Sequence, residues 1–460
     1  MLWYPRFEVD GGGSALDSHT EPAFDPPFRP VVRVVADVDP PAVMRPLRIL
    51  FVTPYVPSPQ RPRPLRIIRA LAASGHRITL LAAATTAGEL ADLPALEPYC
   101  EGVQAVRVPV LRSLASCLRG IAGAAPVQAL YCRSPLMIAA VQRALTPPVG
   151  YDLLHVEHLR AALYGLDTAA LPRVYDAVDC MGDLLAQTAA KGPTLASRLA
   201  ARVELQRTRR FERRLVECFD RTLISAERER DALLAAAGAS PQKAARVHAL
   251  PHGVDVEHFA PPAGPRDPAT LVFVGRMAYH ANLAAARYLA VELMPRIWTR
   301  RPDARLRLVG ADPPAALRTI AAQSGSRVEV TGTVPDVRPH LTAATVSLSP
   351  LRYGVGVPNK VLEALATATP VVATTAACAT LRAVPGEHLL VADDPDTLAH
   401  YVLGLLDDAA LARRLGEAGR RYVVAHHDCR ATGPALEAIY RDAIAAHAPG
   451  APTSASVGTA

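Results

Sequence analysis

A chain of 460 residues exceeds one ordinary hydrophobic core and fits two domains. Half of its residues are apolar and a fifth charged, and no run of about eighteen apolar residues escapes a charge, which excludes a transmembrane helix. The net charge of +7 suits phosphorylated ligands or anionic lipid surfaces; with few aromatic residues and no RNA- or DNA-binding signature it argues against nucleic acid.

Residues 1–45 are rich in Pro and Gly, which reads as a disordered tail or a start codon placed too far upstream. No basic region leads into an apolar run with a small-residue cleavage site, so a cytoplasmic location is expected, at the inner face of the membrane. The domain 46–250 then opens with a buried strand at 47–53, stopped by Pro54, and a helix at 65–73 that Gly75 ends. Strands follow at 77–82, 103–108, 153–156, 173–175 and 222–225. Such alternation of strand and helix specifies a doubly wound parallel sheet. The most lipid-like stretch, 108–130, is broken by Arg112 and Arg119. Its first part, 108–122, is the surface expected to touch a membrane peripherally.

The helix expected at 195–218 carries seven arginines, among them Arg198, Arg202, Arg213 and Arg214. Its apolar residues Leu199, Val203, Phe211 and Leu215 can share a packed face. Its cations either pair with Glu204, Glu212 and Glu217 on a solvated face, or meet anionic lipid headgroups or a phosphorylated acceptor.

Residues 251–268, with several prolines and Gly253, read as an interdomain linker, within which His252 shapes a turn. The alternation restarts over 269–425, with strands at 271–275, 305–309, 328–331, 346–349, 371–374 and 389–392. A helix at 426–447 is expected to pack back toward the first domain, and 448–460 is a second tail. Seven cysteines are scattered without a CxxC pair, which suits free thiols and neither a disulfide framework nor a zinc site.

The segment 348–366 is the richest in chemistry. A strand ends near Ser349, a loop holds Gly354 and Gly356, and a helix opens near Pro358. A helix N-terminus offers unpaired N–H groups and positive potential to a phosphate. Asn359 and Lys360 lie in that first turn, and Lys360 adds a point charge. Glu363, three residues on, lies on the same face and is placed to accept hydrogen bonds from ribose hydroxyls. Arg352 is a second cation. The bland alternative is an exposed Lys360–Glu363 pair beside a plain glycine loop.

Pro251-His-Gly-Val-Asp255, Phe273-Val-Gly-Arg276, Gly332-Thr-Val-Pro335 and the Lys360–Glu363–Ala364 stretch, followed by Pro370-Val-Val372, resemble in order and spacing the family 4 glycosyltransferases of the GT-B fold. Gly356-Val-Pro-Asn-Lys-Val-Leu-Glu-Ala364, with Pro385-Gly-Glu and Leu389-Leu-Val-Ala-Asp393, is similar to the sugar transferases of PEP-CTERM/exosortase and exopolysaccharide gene clusters. The resemblance implies two Rossmann-like domains facing a cleft, a nucleotide-sugar donor in the second and a glycan or lipid-linked acceptor in the first. It implies that Arg276 and Lys360 meet the donor diphosphate, that Glu363 holds the ribose and that Gly332 lies beside the base. Two positions depart from the pattern. Val355 stands where many members have a carboxylate, and Ala281 or Asn282 where a lysine is usual.

In the first domain, His155, Glu157 and His158 end a strand on the cleft side, and the resemblance implies a sugar-contacting histidine there; all three compete for the catalytic role. Asp176 and Asp179 either orient an acceptor hydroxyl or cap the next helix, and Arg66 either touches an acceptor phosphate or is surface. The activity implied is transfer with retention, without a metal or other cofactor, since Arg276, Lys360 and the helix dipole can stabilise the leaving diphosphate. A nucleotide-sugar epimerase and a non-catalytic binding subunit on the same fold are the alternatives, Val355 being the argument for the second.

Overall fold

The computed structural model describes residues 45–447, except 60, 110–114, 118–119, 121–122, 148–149, 167, 169, 192–193 and 353–357. Both expected tails (the first up to residue 44), much of the lipid-like stretch, and the loop positions Gly354, Val355 and Gly356 lie outside the described residues.

The first sheet comprises β1 (Arg48–Thr53), β2 (Arg77–Ala84), β3 (Gly102–Arg107), β4 (Leu153–Glu157), β5 (Arg173–Asp176), β6 (Arg221–Ile224) and β7 (Val247–Ala249). The second comprises β8 (Asp267–Val274), β9 (Arg305–Val309), β10 (Val328–Val330), β11 (Ala344–Ser349), β12 (Val371–Ala373) and β13 (Leu390–Val391). Their orders are β3-β2-β1-β4-β5-β6-β7 and β10-β9-β8-β11-β12-β13, with parallel pairing throughout. The two doubly wound parallel sheets expected from the alternation are therefore present. In each, the first strand lies between the second and the fourth, so the winding reverses beside it. Open α/β sheets bind ligands at that reversal, beyond the carboxyl ends of the strands.

The strands are apolar runs because both faces are covered. Ile49 and Phe51 face the helices Pro62–Ala73 and Thr432–His447, through Leu65, Ile68, Leu436 and Tyr440. The alternate residues Leu50 and Val52 face Phe211 and Leu215 on the other side. Each such fully buried side chain contributes about 2 kcal/mol of transfer free energy.

Several bounds differ from the sequence expectations, each for a local reason. The helix begins at Pro62 because proline suits its first turn, three residues ahead of the apolar spacing. Strand β8 begins at Asp267, before its apolar run; Asp267 pairs with Ala344, and Arg266 beside it donates to the carbonyls of Leu341, Thr342 and Ala344. Strand β7 has three residues, too few to show a period. The helix Leu195–Cys218 stands where expected, but its apolar residues do not share one packed face: Phe211 and Leu215 are buried, whereas Leu199 and Val203 are exposed. All seven cysteines are free. Among the described residues, no helix is long and apolar enough to cross a membrane.

Candidate active site

The helix Asn359–Ala366 follows β11 and is held by Val361, Leu362, Ala364 and Leu365, all buried. Among the described residues no side chain caps its start at Pro358, which leaves the N–H groups of Asn359 and Lys360 for another partner. This packing presents Asn359, Lys360 and Glu363 at the carboxyl ends of the second sheet's strands.

Lys360 Nζ donates to Asn282 Oδ1 at 2.5 Å and lies 4.7 Å above the Phe273 ring. Asn282 in turn donates from Nδ2 to the Arg276 carbonyl at 2.9 Å. One amide thus ties the lysine to the turn after β8. Removal from water pulls the Lys360 ammonium down to about 8, against the opposing charge of Glu363. Gly275 opens this turn, and a Cβ there would come within 2.8 Å of Asn282 Nδ2 and 3.1 Å of Lys360 Nζ, so a larger residue would push both side-chain ends out of place.

Glu363 reaches the other way. Arg66, in the first helix of the first sheet, donates to Glu363 Oε1 at 3.3 Å, to Asn359 Oδ1 at 3.3 Å and to the Gly253 carbonyl at 2.6 Å. Burial raises the Glu363 carboxyl and the Arg66 charge opposes it. His252 Nδ1 lies 3.4 Å from Asn359 Oδ1. Burial, then the charges of Arg63 and Arg66, push this imidazole down to about 3, so it is neutral.

Arg276 and Arg352 are placed differently. Arg276 is 72 % exposed and pairs with Asp312 at 2.9 Å. Arg352 is exposed, its guanidinium 4.8 Å from the Tyr288 ring centroid. Gly332, just past β10, has φ +73°, a left-handed turn that favours glycine. Neither arginine has a described contact with Lys360.

On the first sheet, β4 and β5 end in a dense polar cluster. His155 is fully buried, its ring stacked 4.1 Å from Phe51 and its Nδ1 2.8 Å from the Tyr440 hydroxyl. Glu157 is also fully buried and accepts from the Tyr55 hydroxyl at 3.1 Å. Burial, reinforced by the Asp176 charge, pushes its carboxyl up to about 8, so it is largely protonated at neutral pH. His158 is half-buried at φ +66°, and its Nδ1 accepts from the Arg160 amide at 3.1 Å. Burial takes that imidazole down to about 3. Of the three residues that compete in the sequence, His158 alone keeps appreciable exposed surface.

Asp176 is fully buried and receives Arg63 Nε and Nη2 at 2.9 Å each. Burial pushes its carboxyl up, but the Arg63 charge and hydrogen bonds outweigh this and hold it below the usual carboxylate range. Its Oδ1 also accepts the Val178 amide at 3.1 Å, which bends the chain through φ +65°, a strained value for a β-branched residue. The strained turn delivers Asp179, half-buried, whose carboxyl burial and the Glu229 charge push up to about 7.

Sequence reading missed Arg63, Tyr55 and Tyr440. Arg63 had a signal, lying three residues before Arg66 on the same helical face. Tyr440 had none, because its partner His155 is 285 residues away. Among the described residues, Glu157 Oε2, His252 Nε2 and Ser349 Oγ are buried without a partner. All three lie near the carboxyl ends of the strands, where unsatisfied polar atoms suit a polar ligand. A groove of about 910 Å³ lies at the opposite end of the second sheet, lined by Pro268, Thr345 and Pro370 at the strand starts. It is away from this chemistry.

Solved structures identify the architecture as the GT-B fold of glycosyltransferases. Residues 268–408 match the family model described as Glycosyl transferases group 1. Sucrose-phosphate synthase from Thermosynechococcus elongatus superposes with a TM-score of 0.66 at 21 % identity, covering 87 % of this chain and all of that one. Anabaena HepE in complex with UDP gives 0.61 at 16 %, covering 86 % and 100 %. The GDP-mannose-dependent monoacylated alpha-(1-6)-phosphatidylinositol monomannoside mannosyltransferase of Corynebacterium glutamicum is 30 % identical over 207 residues, 41 % of this chain and 54 % of that protein. The chain spans about half the length of the curated relatives it matches.

Proposed function

We propose that this chain transfers a sugar from a nucleotide-sugar donor to a hydroxyl of an envelope glycan or lipid-linked acceptor, with retention and without a metal ion, in cell-surface or exopolysaccharide synthesis. The observation that carries the reading is the convergence of Lys360, Asn282 and the uncapped helix start on the turn after β8, inside the segment that matches glycosyl transferases group 1.

In this reading the nucleoside diphosphate lies against Lys360 and the helix N-terminus. Negative charge grows on the leaving phosphate as the anomeric bond breaks, and a half-buried ammonium and oriented N–H groups stabilise it at no reorganisation cost. Arg276, exposed beside the same turn, swings from Asp312 to the diphosphate. Arg352 adds positive potential, Glu363 and Asn359 accept the ribose hydroxyls, and Gly332 gives the base room. On the facing sheet His158 meets the transferred sugar and Asp179 holds the acceptor hydroxyl, while the fully buried Glu157 holds the Tyr55 hydroxyl. Asp176, closed off by Arg63, positions the turn that carries Asp179, and His155 supports β4 from beneath.

Relatives and neighbours are named for GDP-mannose and for UDP, so both nucleotides belong in the test. Purified protein is incubated with GDP-mannose or UDP-glucose and an envelope-lipid extract, with and without EDTA. Acceptor-dependent, EDTA-insensitive release of GDP or UDP is expected. Nucleotide binding with no release in any extract would favour a binding subunit, and donor isomerisation without an acceptor would favour an epimerase.

A further inference from the structure

The helix Leu195–Cys218 carries more surface chemistry than the donor site uses. Leu195, Leu199 and Val203 are 83 %, 61 % and 68 % exposed. Their spacing of four aligns them in one stripe along the helix. The first buried residue is Ala201, so the opening turns stand clear of the core.

The charges beside this stripe have one sign. Every exposed charged residue from 195 to 214 is an arginine: Arg198, Arg202, Arg210, Arg213 and Arg214. The carboxylates of the same helix have partners of their own. Glu204 accepts the Val127 amide at 2.9 Å and Arg207 at 3.0 Å. Glu212 is buried and accepts the Gly182 amide at 3.2 Å, and Glu217 binds Lys243 at 2.7 Å. Of the pairings expected with these three glutamates, Glu204–Arg207 is present, while Glu212 and Glu217 bind groups outside the helix. The Glu204–Val127 bond also seats the helix against the end of the lipid-like stretch.

An exposed apolar stripe beside exposed charges that are all cationic over residues 195–214 matches an interfacial helix, and the charge complements an anionic bilayer. A two-fold contact between copies would set these arginines against one another. Nucleic acid would leave the leucines without a partner, and the helix's aromatic residue, Phe211, is buried.

We infer that the opening half of this helix docks the chain on an anionic lipid bilayer. Leu195, Leu199 and Val203 enter the boundary between headgroups and acyl chains, and the arginines lie against lipid phosphates. The inference deepens the acceptor side of the proposed function, and its test reads lipid binding apart from donor turnover.

The full chain is co-sedimented with vesicles of phosphatidylcholine alone or of equal parts phosphatidylcholine and phosphatidylglycerol. Wild type should bind the anionic vesicles at least about tenfold more tightly than the neutral ones. L199Q/V203Q and R198E/R202E should each lose about tenfold of that binding, with unchanged melting temperature and with GDP or UDP binding within about twofold of wild type. The glutamine pair preserves helix propensity, and its unchanged melting excludes unfolding as the cause. Three results would overturn the inference: no preference of wild type for anionic vesicles; undiminished vesicle binding by both variants; or a dimer in light scattering that L199Q/V203Q converts to monomer without changing vesicle binding. Failure of donor turnover with vesicle binding intact would instead count against the transferase reading alone.

Discussion

Arg66 lies 3.3 Å from Glu363, so a guanidinium from the first sheet's leading helix holds the carboxylate on the helix Asn359–Ala366 of the second sheet. The same guanidinium donates to Asn359 and to the Gly253 carbonyl, joining both sheets and the segment between them. Burial pushes the Glu363 carboxyl up, and Arg66 is the largest opposing influence.

Removing Arg66 should therefore raise that carboxyl further and protonate it at higher pH. A protonated Glu363 is a poorer acceptor for ribose hydroxyls. Arg66→Ala should weaken GDP or UDP binding by about tenfold at the acid end of the range in which the protein stays folded, the worth of one hydrogen bond to a charged group. The ratio to wild type should shrink as pH rises. Isothermal titration at several pH values checks this. A pH-independent ratio would mean that Arg66 acts on the nucleotide directly.

Arg63 and Asp176 form the second cation–carboxylate contact of the cleft, at 6 % and 0 % side-chain exposure. Arg63→Ala strands a buried carboxylate and should cost about 3–5 kcal/mol in urea unfolding. Arg63→Met with Asp176→Asn removes both charges and should recover most of that loss. Equal destabilisation in the single and double variants would show that the pair contributes through packing.

Glu157 makes the fold pH-sensitive in a defined direction. Its folded carboxyl is pushed from 4.5 up to about 8 by burial and by Asp176. A raised folded value means the stabilisation is fully present below about 4.5 and is lost as pH climbs through about 8, where the buried acid must ionise. Glu157→Gln should thus leave the melting temperature nearly unchanged at pH 5 and raise it by a few degrees at pH 8.5, a scale of about 1 kcal/mol or more. A melting difference equal at both pH values would contradict this.

The fold was legible because its grammar is local. Apolar runs such as 47–53 and 371–374 mark strands covered on both faces, and Pro358 marks a helix start. Lys360 and Glu363 could be placed together because one helical turn separates them. Their partners could not. Asn282 lies 78 residues from Lys360, and Arg66 lies 297 from Glu363; neither pairing leaves a periodic trace. The polar cluster on the first sheet was legible as residues but not as roles. His155 and Glu157 read alike as strand-end polar groups, yet tertiary packing sets one against Tyr440 and the other against Tyr55. Leu199 and Val203 were read as core because their spacing is helical, and spacing does not say whether anything lies opposite.

The central claim is that Lys360 stabilises charge on the departing nucleoside diphosphate. Its direct test is kcat/KM for the nucleotide sugar in Lys360→Ala, measured as acceptor-dependent GDP or UDP release with folding confirmed by melting. Loss of one such electrostatic partner should lower kcat/KM by about a hundredfold or more. A value within about twofold of wild type, less than ~0.5 kcal/mol of transition-state binding, would contradict the claim.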